Sequence, residues 1–293
     1  MTTALPTVRS LELEITGTCQ AACTHRFADS GPTVTHGSMT EDDWKRVISE
    51  ASDLGAEVVQ FIGGEPTLRP DLPEILTHAL RSGLGVEVFS NLIHVRREMW
   101  DVLSLPGVSL GTSYYSDRAD EHEKIPKVRG SYRRTRDNIS TAVGHGIPVR
   151  AAIVHVLDEQ RVNEAAAELR LMGLEHITIS RTHPFGRGAS GKAPDPAELC
   201  GRCTRGRGAV MPNGDVTGCV MSRAWPAGNV REQPLEAILT GSGWADIASM
   251  VPEPVAGACP PDDSGDCGPA NTPACAPAYA FPITHSPAPG VSA

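Results

Sequence analysis

The sequence predicts the α/β class: a partial (β/α)6 TIM-like barrel followed by a small, irregular, Cys-rich C-terminal domain. Strand-like and helix-like segments alternate six times between about residues 8 and 188, with short connections. Parallel neighbours need a crossover that a helix supplies, so the alternation implies a parallel sheet. Six units are too few for a closed eight-unit barrel. The cysteines are split, with Cys19 and Cys23 near the start, none in between, and Cys200, Cys203, Cys219, Cys259, Cys267 and Cys275 in the last third. Composition also changes after Gly188, which sets the expected boundary between residues 1–188 and 189–293.

Each element has a local reason. Residues 8–15 (VRSLELEI) alternate as a strand and stop at Thr16-Gly17. Residues 40–54 open with Thr40 and an acidic first turn, then place apolar residues at helical spacing. Strands follow at 58–62, 86–89, 108–113, 149–156 and 176–181, and helices at 72–82, 98–104, 132–144 and 160–172. Residues 189–197 read as a linker. Met211 to Asp215 reads as a hairpin turn between short strands. Residues 251–293 hold ten prolines and no Lys or Arg, and read either as a tail held by metal ligation or as a disordered one.

Composition excludes several classes. The net charge of −9 with 4% aromatics gives no basic stripe for nucleic acid. No apolar run approaches the roughly 20 residues of a membrane span. The first nine residues lack a charged-then-apolar signal pattern, so the expected location is cytoplasmic. In that compartment eight cysteines read as metal or redox ligands rather than disulfides.

The C-terminal ends of parallel strands are where function is expected. The first strand runs into Cys19-Gln20-Ala21-Ala22-Cys23-Thr24-His25-Arg26-Phe27, the second into Gly63-Gly64-Glu65-Pro66 and the third into Ser90-Asn91. Thiols, a glycine pair with a carboxylate, and small polar groups therefore meet at one sheet edge. Here the chain resembles the radical S-adenosylmethionine (radical SAM) enzymes, in particular the subset with a C-terminal SPASM or twitch domain. Cys203, Gly214 and Cys219 match the opening pattern of that domain.

The resemblance implies a [4Fe–4S] cluster on a C-x3-C-x2-C loop, with Cys19 and Cys23 as metal ligands, and SAM chelating the open iron. It implies that Glu65 and the backbone of Gly63 and Gly64 receive the SAM ammonium, with Pro66 also counted as cofactor-binding, that Phe27 lies near the adenine, and that Ser90 and Asn91 meet the ribose or carboxylate. It implies an oxidoreductase, a peptide-modifying (RiPP) maturase that works through a 5′-deoxyadenosyl radical. A flavodoxin- or ferredoxin-like protein would supply the electron, and the substrate would be a peptide or a small molecule. An auxiliary [4Fe–4S] cluster on Cys200, Cys203, Cys219, Cys259, Cys267 and Cys275 is implied, with a structural zinc as the alternative.

The chain departs from the pattern at the third ligand. Position 26 is Arg, and a guanidinium stays protonated and offers iron no lone pair. Three readings remain open. His25 stands one residue out of register, a C-terminal cysteine lends a thiolate, or the site is degenerate and binds SAM or a peptide without cleaving SAM.

Other residues carry plainer expectations. His155 is expected to be a hydrogen-bonded core histidine. Glu12 and Glu14 are expected to face away from the core, and Met39 and Met99 to pack within it. Tyr114 to Asp117 are expected to contact substrate or SAM. Arg134 and Arg136 read as solvated charges. Arg181 to Gly188 read equally as ligand contacts or as structure.

Overall fold

We describe residues 8–253 of a computed structural model of the chain. The barrel half comprises β1 (Ser10–Thr16), α1 (Glu41–Asp53), β2 (Val58–Gly63), α2 (Leu72–Arg81), β3 (Gly85–Phe89), α3 (Arg97–Leu103), β4 (Val108–Tyr114), α4 (Ala119–His122), α5 (Ser131–Gly144), β5 (Val149–His155), α6 (Val162–Leu171) and β6 (His176–Arg181). Then come β7 (Arg207–Val210), β8 (Asp215–Thr217), β9 (Gly228–Asn229), α7 (Leu235–Leu239) and α8 (Ser242–Met250). The strands form one sheet in the order β6-β5-β4-β3-β2-β1-β7-β8-β9. Strands β1 to β6 are parallel neighbours in sequence order, the partial barrel expected. Strand β7 adds to the free side of β1, also parallel, with Ser10 opposite Arg207 and Leu13 opposite Val210. Strand β8 returns antiparallel across the expected hairpin.

Helix α1 starts where the sequence caps it. The Thr40 hydroxyl accepts from the Asp43 amide at 3.2 Å and Asp43 accepts from the Thr40 amide at 3.0 Å. Such a cap contributes about 1 kcal/mol. Trp44, Val47, Ile48 and Ala51 then face the sheet from α1 and join Leu11, Leu13 and Ile15 of β1 in the main core. Met39 and Met99 pack in that core as expected.

The interior face of the barrel carries charge. Arg150 donates to both oxygens of Glu87, at 2.6 and 2.8 Å, and Gln60 also bonds Glu87; Glu87 is 2% exposed. Glu12 and Glu14, expected to face away from the core, are buried at 8% and 3% exposure. The reason is the position of β1, which has helices on one face and the barrel interior on the other. Both carboxylates have partners from the C-terminal half: Glu12 accepts from the Val220 amide at 2.9 Å, and Glu14 accepts from Arg223. Burial raises the Glu12 carboxyl above its ordinary range, against the opposing pull of Arg207. His155 corrects a second expectation: it is exposed, at the end of β5 beside the edge strand.

Breaking a buried ion pair on one side leaves an uncompensated charge. Arg150→Met is therefore expected to lower unfolding free energy by about 3–5 kcal/mol in urea titrations. Replacing both partners (Glu87→Leu with Arg150→Met) should recover most of that loss.

Candidate active site

The loop after β1 folds back on itself. Cys19 N donates to Gly31 O and Gly17 N to Thr35 O, each at 3.1 Å, and a side chain at Gly17 would strike Val34 at 2.5 Å. This buries both thiols, with Cys19 at 0% and Cys23 at 5% exposure. Burial pushes the Cys19 thiol up, while the Arg26 guanidinium opposes the shift.

The glycine pair after β2 is a packing requirement. A Cβ at Gly63 would lie 2.4 Å from the Thr16 carbonyl, and one at Gly64 would lie 2.0 Å from the Thr18 carbonyl. Gly63 also holds φ at +146°, where side chains are disfavoured. In return Gly64 N donates to Thr16 O at 2.6 Å and Glu65 N to Thr18 O at 2.8 Å.

Glu65 is fully buried and its carboxylate is fully engaged. One oxygen accepts from Thr67 N at 3.1 Å and from the Thr67 and Ser90 hydroxyls at 2.7 Å; the other accepts from Asn91 N at 2.8 Å. The group therefore ties the β2 loop to the β3 loop, with Pro66 opening the short turn between them. Asn91 reaches back to the first loop, accepting from Gln20 at 3.1 Å and pointing its amide at Cys19 Sγ, 3.7 Å away. The sequence places these residues together at one edge, and the structure adds this chain of bonds.

Arg26 points into the same place. Nη2 donates to the carbonyls of both Gly63 and Gly64, and Nη1 lies 3.8 Å from Cys19 Sγ. His25 Nδ1 is buried without a hydrogen-bond partner among the described residues, and its ring meets Tyr115 edge-on at 5.5 Å. Tyr115, buried on the β4 loop, meets Ser113 and the Cys23 thiol through its hydroxyl. A cavity of about 220 Å³ opens here, lined by Cys23, Arg26, Phe27, Gly64, Asn91 and Tyr115, and reaches down to the charged barrel interior. Phe27 also carries the Arg223 guanidinium 5.8 Å from its ring centre.

Residues expected to contact ligand divide. Tyr115 does line the cavity. Tyr114 instead donates to Glu168 at 2.7 Å, and Asp117 pairs with Arg161 at 2.8 Å. Arg136 is not simply solvated: it pairs with Glu168 at 2.7 Å. Arg187 proves structural, donating to Cys23 O at 2.8 Å and Ser30 O at 2.9 Å. Its donors on a post-strand loop give no signal of that partner in sequence. The interior polar group Gln60, Glu87 and Arg150 was also missed, although polar and charged residues inside buried strand patterns mark it.

In the C-terminal half, Cys203 precedes β7 and Cys219 follows β8, so the hairpin brings their sulfurs to 2.9 Å. The Cys219 contact and burial push the Cys203 thiol well up, with half-buried Cys200 adding to the shift. Cys259, Cys267 and Cys275 lie outside the described residues. Among the described residues, no three His, Cys, Asp or Glu side chains group as a metal site.

A family model described as the radical SAM superfamily matches residues 13–183, more than half of the chain. The chain belongs to the radical SAM superfamily. A second model, an iron-sulfur cluster-binding domain of the SPASM type, matches residues 200–261. The PqqA peptide cyclase of Xanthomonas oryzae pv. oryzae (strain MAFF 311018) is 28% identical over 195 residues, covering 66% of this chain and 52% of that protein. The antilisterial bacteriocin subtilosin biosynthesis protein AlbA of Bacillus subtilis (strain 168) is 26% identical over 178 residues, covering 60% and 40%. The chain thus spans about half the length of the curated relatives it matches. Streptococcus suis SuiB bound to S-adenosylmethionine has the same fold, with TM-score 0.70 at 15% identity over 82% of this chain and 68% of that one.

The family's cofactors are a [4Fe–4S] cluster and SAM, with a further cluster-binding domain. The residues present fit them unequally. The Gly63–Gly64 carbonyls are acceptors of the kind an ammonium-bearing ligand takes, and here they accept from Arg26. The three-thiolate cluster set does not fit: the β1 loop brings two thiols and a guanidinium together, and the described residues bring no third thiol to them.

Burial holds His25, His122 and His183 each at about 4, well below the ordinary histidine value. A lowered histidine is neutral in the fold and protonates first in the unfolded chain, so stability is full above the unfolded value and lost as pH falls. Unfolding free energy should drop steeply between about pH 6.5 and 4. His122→Phe should remove about 2–3 kcal/mol of that drop at pH 4.5, read in urea titrations across the range.

Proposed function

We propose that the chain is an oxidoreductase of the radical SAM/SPASM type that modifies a ribosomally made peptide, working in the cytoplasm with a flavodoxin- or ferredoxin-like electron donor. The observation that carries this reading is the cavity at the strand ends, roofed by the SAM-type loops and continuous with a charged barrel interior. The named activities of the PqqA peptide cyclase and the subtilosin biosynthesis protein, both radical SAM relatives, support a peptide substrate.

SAM and a cluster completed by a ligand beyond Cys19 and Cys23 would supply the radical-forming chemistry. The chain's own residues bind and orient. Glu65 fixes the β2 and β3 loops, the glycine carbonyls present acceptors, and Phe27 and Tyr115 wall the cavity against water. Cys203 and Cys219, with Cys200 beside them, begin an auxiliary cluster site that takes further ligands from residues 254–293, zinc being the other metal suited to such thiols. Functionally we divide the chain into residues 1–188 and 189–293.

Arg26 favours a second reading, in which the chain binds SAM or a peptide without cleaving SAM, because the guanidinium stands where the third thiolate is needed. One experiment separates the two. The chain and its Arg26→Cys variant are reconstituted anaerobically with iron and sulfide, then given SAM and dithionite. 5′-Deoxyadenosine from both supports the SAM-cleaving reading; from the variant alone, it supports the second. Its absence from both sinks the radical SAM activity.

A further inference from the structure

Two backbone carbonyls that converge on one point make a receptor for a cation carrying several N–H donors. Gly63 and Gly64 provide such a pair, because the missing side chains let the turn lie flat against the end of β1. The Arg26 guanidinium fills it with one nitrogen on both carbonyls.

The guanidinium is delivered there by a clamped backbone. Arg187 N donates to Arg26 O at 2.8 Å. A Cβ at Gly186 would lie 2.4 Å from Phe27 O, and one at Gly188 would lie 3.0 Å from His25 O, so the loop after β6 lies directly on residues 25–27. Held in this way, residue 26 lines the cavity. Burial works against a charge at this position, and Cys19, Cys23, Tyr115 and Glu65 around the guanidinium outweigh it, so that the cation is held.

With the Gly63–Gly64 carbonyls taken as the acceptors that the family resemblance assigns to the SAM ammonium, we propose that Arg26 is their resident occupant, so that SAM binds there only by displacing the guanidinium. This rests on the SAM-binding part of the reading above and deepens it. A tethered occupant holds its receptor at high effective concentration. The free ligand meets a competent site only in the fraction of molecules whose guanidinium has left, and its apparent affinity falls by that fraction. The charge-assisted bonds given up are of the strong kind.

The test is calorimetric titration of SAM into the purified full chain, before any reconstitution, for the native chain and for Arg26→Ala, Arg26→Gln and Arg26→Lys. Circular dichroism and melting establish that each is folded. Arg26→Ala should bind SAM at least tenfold more tightly than the native chain. Arg26→Gln should gain less, and Arg26→Lys, which returns a cation to the same tether, should stay within about threefold of native. Equal affinity across the series, or no binding by any member, overturns the proposal. If Arg26→Ala does not fold, the neutral and charged long variants decide: tighter binding by Arg26→Gln than by Arg26→Lys supports it, and equal binding overturns it. Deoxyadenosine formation and peptide binding are read on separate samples. A SAM series that behaves as expected while those fail leaves the receptor standing and removes the peptide-modifying reading. The reverse outcome removes the receptor alone.

Discussion

The site depends on one close approach. The end of β1 and the Gly63–Gly64 turn lie so near each other that a Cβ on either glycine would fall within 2.4 Å of a backbone carbonyl. That contact lets Gly64 N and Glu65 N bond the carbonyls of Thr16 and Thr18, which fixes where the first loop leaves the sheet. Arg69 reinforces the same corner from below, donating to Ile15 O at 2.7 Å and Met39 O at 3.2 Å. Once Glu65 is fixed, its carboxylate sets Ser90 and Asn91, and Asn91 in turn reaches Gln20 and Cys19. Three loops from three strands are thereby made one rigid unit by a pair of residues with no side chains.

Much of this was legible because the responsible signals are local. Helix α1 announces itself through Thr40, Asp43 and a four-residue apolar stripe, and the first three strands run into Gly17, Gly63-Gly64 and Ser90-Asn91. The loop residues were legible as a cluster because parallel strands must end on the same side. What strand alternation could not show is that β1 is covered on both faces. Glu12 and Glu14 alternate with Leu11, Leu13 and Ile15 as solvent-facing residues would, yet the barrel closes over them and the C-terminal half brings Val220 N and Arg223 to meet them. His155 erred in the opposite direction, since an apolar strand context says nothing about which end of the strand protrudes. Partners separated by more than 150 residues, such as Arg187 with Cys23, leave no mark in the spacing of either.

Those long-range partners also join the two halves of the chain. Strand β7 adds to β1 on the side away from β2, so the hairpin that carries Cys203 and Cys219 is built onto the strand that leads to Cys19 and Cys23. Arg46 donates to Val230 O at 2.8 Å, and Leu235 N donates to Glu50 at 2.7 Å, which docks the following segment on α1. With buried carboxylates of β1 satisfied from the C-terminal half, removal of that half would leave acceptors without partners in the barrel interior, a cost of the kind that buried unpaired charges carry. The two cysteine groups thus share one scaffold.

Position 26 shows how little of that scaffold the chemistry controls. The backbone on either side of Arg26 is held by Arg187, Gly186 and Gly188, and its side chain lines the cavity together with Gly64, Asn91 and Tyr115. Fold and family therefore survive the exchange of a thiol for a guanidinium, while the local charge reverses: a group that would be an anion toward iron becomes a cation toward two carbonyls. The contacts that place residue 26 are made by backbone and by the loop after β6, so the fold of the family is kept with a guanidinium at this position.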